Sequence, residues 1–170
     1  MSVAASTQLR EAFARGTCER QGCKLKFEGI LGQYPLGRVA LESELGYRIP
    51  DDVAFFLEEF GGTKLFLNEY GLGVRVLRLD EIAALNRKLQ ASTESFWPRF
   101  AIIGFDSVDD MLCLYQDGER VHFGNLHHEA WGEPDLWAQE AMSFAPFGAW
   151  LAMFAATAET IPGKDIRYAI

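Results

Sequence analysis

The run Pro50-Asp51-Asp52-Val53-Ala54-Phe55-Phe56-Leu57-Glu58-Glu59-Phe60-Gly61-Gly62 decides how the rest of the chain is read. Proline is pre-set for the first helical turn, and two carboxylates beside it meet the positive end of the helix dipole. Val53, Phe56, Leu57 and Phe60 then recur at i, i+3, i+4 and i+7, one apolar stripe, and the glycine pair ends the element. Burying four such side chains contributes roughly 1.5–3 kcal/mol each. Glu58 and Glu59 fall opposite the stripe, on a solvated face. The run is a core helix.

Upstream of it, residues 37–45 read as a helix burying Leu41 and Leu45 and stopping at Gly46, a residue suited to the left-handed C-terminal position. Residues 6–15 read as a short helix with Leu9 and Phe13 on one side. The stretch 16–37 between them reads as irregular, with a possible strand over 24–27. Downstream, residues 63–67 and 73–79 read as strands around a turn near Asn68 to Gly71, and Asp80 is expected to cap a helix to about Gln90, with Ile82, Leu85 and Leu89 inward. Residues 100–105 form a continuous apolar run, the pattern of an interior strand.

Two further strands, 111–116 and 119–124, flank Asp117-Gly118, a two-residue hairpin signal. With those two as the turn, Gln116 faces Glu119, Tyr115 faces Arg120, Leu114 faces Val121, Cys113 faces His122 and Leu112 faces Phe123. Leu112, Leu114, Val121 and Phe123 then form the core face, and Cys113, Tyr115, Arg120 and His122 an exposed polar one. Residues 125–134 read as a loop. A last helix begins near Pro146, with Phe147, Trp150, Leu151, Phe154 and Ala158 on one stripe, and 161–170 is a tail.

The 170 residues carry 16 Lys+Arg against 24 Asp+Glu, a formal charge of −8. A hydrophobic share of 49% with 13% aromatic residues is that of a folded domain, not a disordered chain. No repeat or linker divides it. A pI near 4.9 argues against nucleic acid as a partner and against an anionic membrane surface. The charge is uneven: residues 1–38 hold six basic and three acidic side chains, whereas 106–140 hold Arg120 against nine acids. Such a stretch is either a solvated face or a docking surface for something basic, because a single-sign field steers association.

Cys18, Cys23 and Cys113 follow no disulfide framework or metal-finger spacing and read as reduced thiols. Residues 1–7 have no basic or apolar signal-peptide region. Residues 141–158 are uncharged and reach the lower limit of a membrane span, but Ser143, Pro146, Gly148 and the many alanines favour a buried helix. A cytoplasmic protein is expected.

The search for chemistry finds little. Cys113 beside His122 would be an activated thiol, yet nothing orients the histidine and a flat sheet face is a poor pocket. His127, His128 and Glu129, with His122, offer metal ligands, but adjacent histidines in an extended loop point to opposite sides, so a polar loop is the better reading. Asp109/Asp110 is one acidic pair and weak support for hydrolysis. The glycines of Tyr70-Gly71-Leu72-Gly73 precede a strand, unlike a phosphate loop, and no Gly-x-Ser-x-Gly elbow exists. No catalytic residue, metal or cofactor is expected, which favours a binding protein.

The order of these pieces resembles the SUKH superfamily, the Smi/Knr-like proteins. Leu45-Gly46-Tyr47-Arg48-Ile49-Pro50 leading into the aromatic helix and Gly61-Gly62 is similar to that family's signature. Val76-Leu77-Arg78-Leu79-Asp80-Glu81-Ile82 resembles its strand entering a helix. Ile103-Gly104-Phe105-Asp106, then Met111-Leu112-Cys113-Leu114-Tyr115 and Asp117-Gly118, resemble its strand pair. Ala141-Met142-Ser143-Phe144, Phe147 and Trp150-Leu151 resemble its closing helix. On this resemblance the chain divides into residues 1–35 outside the match, a domain over 36–160 and a tail over 161–170.

The resemblance implies an α+β fold, a single domain with a mostly antiparallel sheet packed against several helices. It also implies a protein-binding role: bacterial members are immunity proteins that neutralise toxin domains, often nucleases, and fungal members regulate cell-wall synthesis and signalling. The expected partner is then a basic toxin domain. The contact residues expected from charge are Asp106, Asp109, Asp110, Asp117, Glu119, Glu129, Glu133 and Asp135, with Trp131 as an aromatic anchor. The alternatives are a regulatory scaffold recognising a housekeeping protein and a hydrolase using Cys113/His122.

Overall fold

The computed structural model describes residues 3–20, 23–32, 37–91, 100–128 and 147–149. Its elements run α1 (Val3–Arg15), β1 (Thr17–Arg20), β2 (Cys23–Glu28), α2 (Arg38–Leu45), α3 (Asp51–Phe60), β3 (Lys64–Leu67), β4 (Val74–Val76), α4 (Leu79–Gln90), β5 (Phe100–Phe105), β6 (Met111–Asp117) and β7 (Arg120–Leu126). The seven strands form one sheet in chain order, every neighbouring pair antiparallel. Such a meander needs no crossover between parallel strands; α2 and α3 fill the β2–β3 connection, and α4 the β4–β5 connection. The fold is α+β, with an antiparallel sheet and helices around one core, as expected.

The stripe of α3 is buried at Val53, Phe56, Leu57 and Phe60. Phe56 stacks obliquely on Phe60 and meets Phe147 edge-on, and Phe147 in turn meets Phe123 of β7 edge-on at 5.1 Å. This aromatic chain couples the helix layer to the far end of the sheet. At the end of α2, Gly46 takes φ 73°, and its N–H donates to the Glu42 carbonyl, the left-handed cap a side chain would strain. Arg38 of α2 then ties the α2–α3 corner. Its guanidinium donates to Glu42 Oε1 at 2.9 Å, to the Ile49 carbonyl at 2.9 Å and to Asp51 Oδ1 at 2.6 Å.

Three local expectations are corrected. The stretch 16–37 contains β1 as well as β2, and β2 pairs with β3, so the N-terminal residues extend the same sheet. Lys24, Lys26 and Glu28 alternate with half-buried or buried Leu25 and Phe27, a period-2 pattern too short to carry more than one strand's prediction. Helix α4 starts one residue before Asp80: Arg78 is its N-cap, and Glu81 accepts from the Arg78 backbone N–H at 3.0 Å, while Asp80 sits in the first turn. The final helix is described only at 147–149, so its stripe beyond Phe147 lies outside the described residues, as do residues 161–170.

The third correction is the hairpin. Asp117 pairs with Arg120, Gln116 with Val121, Tyr115 with His122, Leu114 with Phe123 and Cys113 with Gly124. The turn residues are therefore Gly118 and Glu119, one position later than expected. Gly118 takes φ 57° and Glu119 is not among the positive-φ residues. A positive φ at the first central residue alone is the pattern of a type II′ turn, which takes Gly first. Residues Met111 to Tyr115 are all buried, so Cys113 and Tyr115 do not lie on an exposed polar face.

Candidate partner-binding surface

Among the described residues, the acids of this stretch do not form one patch. Asp106 and Asp110 are buried, in contrast to the exposed carboxylates a docking surface needs. They hold the β5–β6 turn together. Asp106 Oδ1 accepts from the backbone N–H of Val108 at 2.9 Å and of Asp110 at 3.0 Å, and its Oδ2 accepts from Asn125 Nδ2 at 3.1 Å. Burial pushes the Asp106 carboxyl above the ordinary carboxylate range, against the lowering pull of these donors. Asp110 Oδ1 accepts from the His128 backbone N–H at 3.0 Å and lies 2.8 Å from His128 Nδ1. Two members of the expected contact set are thus structural.

Asp109, Asp117 and Glu119 are exposed. They occupy opposite ends of β6, which at ~3.3 Å per residue separates them by about 20 Å. Asp109 sits at the tight turn with φ 64°; Asp117 and Glu119 crown the hairpin beside exposed Arg120. Glu129, Trp131, Glu133 and Asp135 lie outside the described residues.

At the Asp109 end, an open groove of about 380 Å³ runs between the β3–β4 loop and the β5–β6 turn. Lys64, Leu67, Leu72, Arg75, Phe105 and Asp109 line it. Leu72 and neighbouring Tyr70 are exposed large apolar side chains, and Val108 is exposed on the facing turn. Lys64 is 3.5 Å from Glu28 and Arg75 3.2 Å from Glu81, so both cations of the groove sit beside carboxylates. Charge arithmetic missed this surface. Its signal in the chain is Tyr70-Gly71-Leu72-Gly73, where large apolar residues alternate with glycine in a turn and have no strand face to bury them.

The thiol–imidazole reading fails on register. Cys113 opposes Gly124, is fully buried, and its Sγ points to the Met111 carbonyl at 3.5 Å. His122 instead neighbours Tyr115, with ring centroids 6.5 Å apart. The histidine loop also departs from expectation. His127 and His128 do not point to opposite sides; their rings stack with centroids 4.4 Å apart at 26°. Strand β7 ends at Leu126, and the alternation of sides ends with it. Asp110, His127 and His128 bring one ligand atom each to within 4.8 Å of one another.

A family model described as SMI1 / KNR4 family (SUKH-1) matches residues 39–150. The chain belongs to that family. The match runs from the second residue of α2 through the described helical residues 147–149, including the Asp106 turn, the groove and the hairpin, while α1, β1 and β2 precede it. Comparison with curated proteins and with solved structures returns no match. No helix among the described residues is long and apolar enough to cross a membrane.

Proposed function

We propose that this SUKH-1 chain is a non-enzymatic protein-binding module of the immunity type, which binds a basic toxin domain in the cytoplasm and blocks it. The observation that carries the reading is family membership across residues 39–150 in a chain of net charge −8. A nuclease toxin must be basic to hold phosphate, so an acidic binder is drawn to its active face. The exposed contacts assigned to this role are Asp109 with the apolar rim of Tyr70, Leu72 and Val108, and Asp117 and Glu119 at the hairpin tip. Glu129, Trp131, Glu133 and Asp135 remain part of the proposed surface. Asp106 and Asp110 are left out of it, because both are buried, the Asp106 carboxylate bonded within the turn and to Asn125 and the Asp110 carboxylate to His128.

The test is co-expression with a toxin domain, sought among the reading frames that neighbour the chain's gene. The toxin alone stops growth, and the chain is expected to restore it. Replacing Asp109 by Asn, which tolerates its positive φ, and Asp117 and Glu119 by Lys is expected to weaken protection while leaving thermal stability within about 0.5 kcal/mol, as exposed surface changes do. Growth arrest that persists in the presence of soluble, folded chain would contradict the reading.

A further inference from the structure

Asp110, His127 and His128 form a cluster that neither the turn nor the proposed docking surface accounts for. We propose that these three side chains bind a divalent late first-row metal ion, with zinc the foremost candidate. The site is separate from the toxin-binding reading and stands or falls without it. Two imidazoles and one carboxylate suit zinc, cobalt or nickel; magnesium and calcium require oxygen donors throughout. The three ligand atoms lie within 4.8 Å of one another. Bound at 2.0–2.1 Å to one tetrahedral ion they would stand roughly 3.3 Å apart. Asp110 Oδ1 and His128 Nδ1, now at 2.8 Å, therefore open by about half an ångström as the ion enters between them.

The parts that must stay fixed are fixed. Asp110 is only 2% exposed, and its backbone N–H and carbonyl are both bonded to Asp106, which Asn125 braces in turn. This is the outer support that orients a ligating carboxylate. The parts that must move can move: His128 is 49% exposed at its side chain and His127 is half-buried. The stacked rings rotate edge-on when the ion arrives, since a metal lies in the plane of each imidazole. Three protein ligands leave one position open to water beside the exposed His128 ring.

The experiment uses untagged full-length chain, stripped with a chelator and desalted, and titrated with zinc chloride and separately with magnesium chloride by calorimetry. The wild type is expected to take up one zinc per chain and no magnesium. His127→Gln and His128→Gln, both at solvent-reached positions that leave the fold intact, each weaken zinc binding about tenfold or more, and the double variant abolishes it. Cobalt is expected to give intense visible bands with the wild type that vanish in the double variant. Zinc uptake that survives both substitutions, or no uptake by the wild type, overturns the proposal.

Discussion

Tyr47 shows how one buried polar atom is read. Its ring is packed into the core, and among the described residues its hydroxyl finds no hydrogen-bond partner. Burial accordingly pushes the phenol well above its ordinary value, and the Cys113 thiol adds to the shift. Leaving such a group unsatisfied costs about 1–3 kcal/mol. Tyr47→Phe is therefore expected to keep or raise stability by up to about 1 kcal/mol in urea denaturation, and a loss of that size would mean the hydroxyl is bonded. Asp106 is the opposite case, a buried carboxylate whose oxygens all have donors. In the chain both residues look ordinary, a tyrosine after a helix stop and one acid among many. Burial of a polar atom depends on what folds over it, and local pattern does not report that.

At the scale of elements, two clamps join the helices to the sheet and to each other. Asn86 of α4 is buried; its Nδ2 donates to the Ile82 and Ile102 carbonyls, and its Oδ1 accepts from the Ile102 N–H at 2.9 Å. It takes up both backbone groups of Ile102 beside the register shift in β5. Asn86→Leu keeps the volume but strands those groups, so a loss of about 2–4 kcal/mol is expected in denaturant midpoint measurements; a loss under about 0.5 kcal/mol would contradict the clamp. The second clamp is Arg38. Its bonds to Glu42 and the Ile49 carbonyl make Arg38→Ala destabilising by about 1–2 kcal/mol at neutral pH. The guanidinium also holds the exposed Asp51 carboxyl below its usual range. Folded Asp51 thus ionises more readily than unfolded, so its contribution is complete above about pH 5 and lost as pH falls through the lowered folded value. The gap between wild type and Arg38→Ala should therefore narrow on acidification, and a gap that widens toward low pH contradicts the pairing. Helix α3 was legible because stripe, first-turn acids and terminal glycines agree. Strand β1 and the hairpin register were not, because a four-residue strand has little pattern and Asp-Gly fits a turn starting at either residue.

On the scale of the molecule, the fold class follows from the order of legible elements, and residues 39–150 place the chain in the SUKH-1 family. The proposed binding surface was less legible. Nine acids within 106–140 are neighbours in the chain, but a strand separates its ends, and two of the acids turn inward to hold a loop. On the proposed reading, attraction to a basic partner would come from the whole chain's charge of −8 and, among the described residues, from acids at both ends of β6. The most direct measurement is the association rate constant with the cognate toxin domain between about 0.05 and about 0.5 M salt. Steering by net charge predicts a fall of about tenfold or more with the dissociation rate little changed. A rate constant that stays level across that range would contradict the claim that this protein works by presenting negative charge to a basic partner.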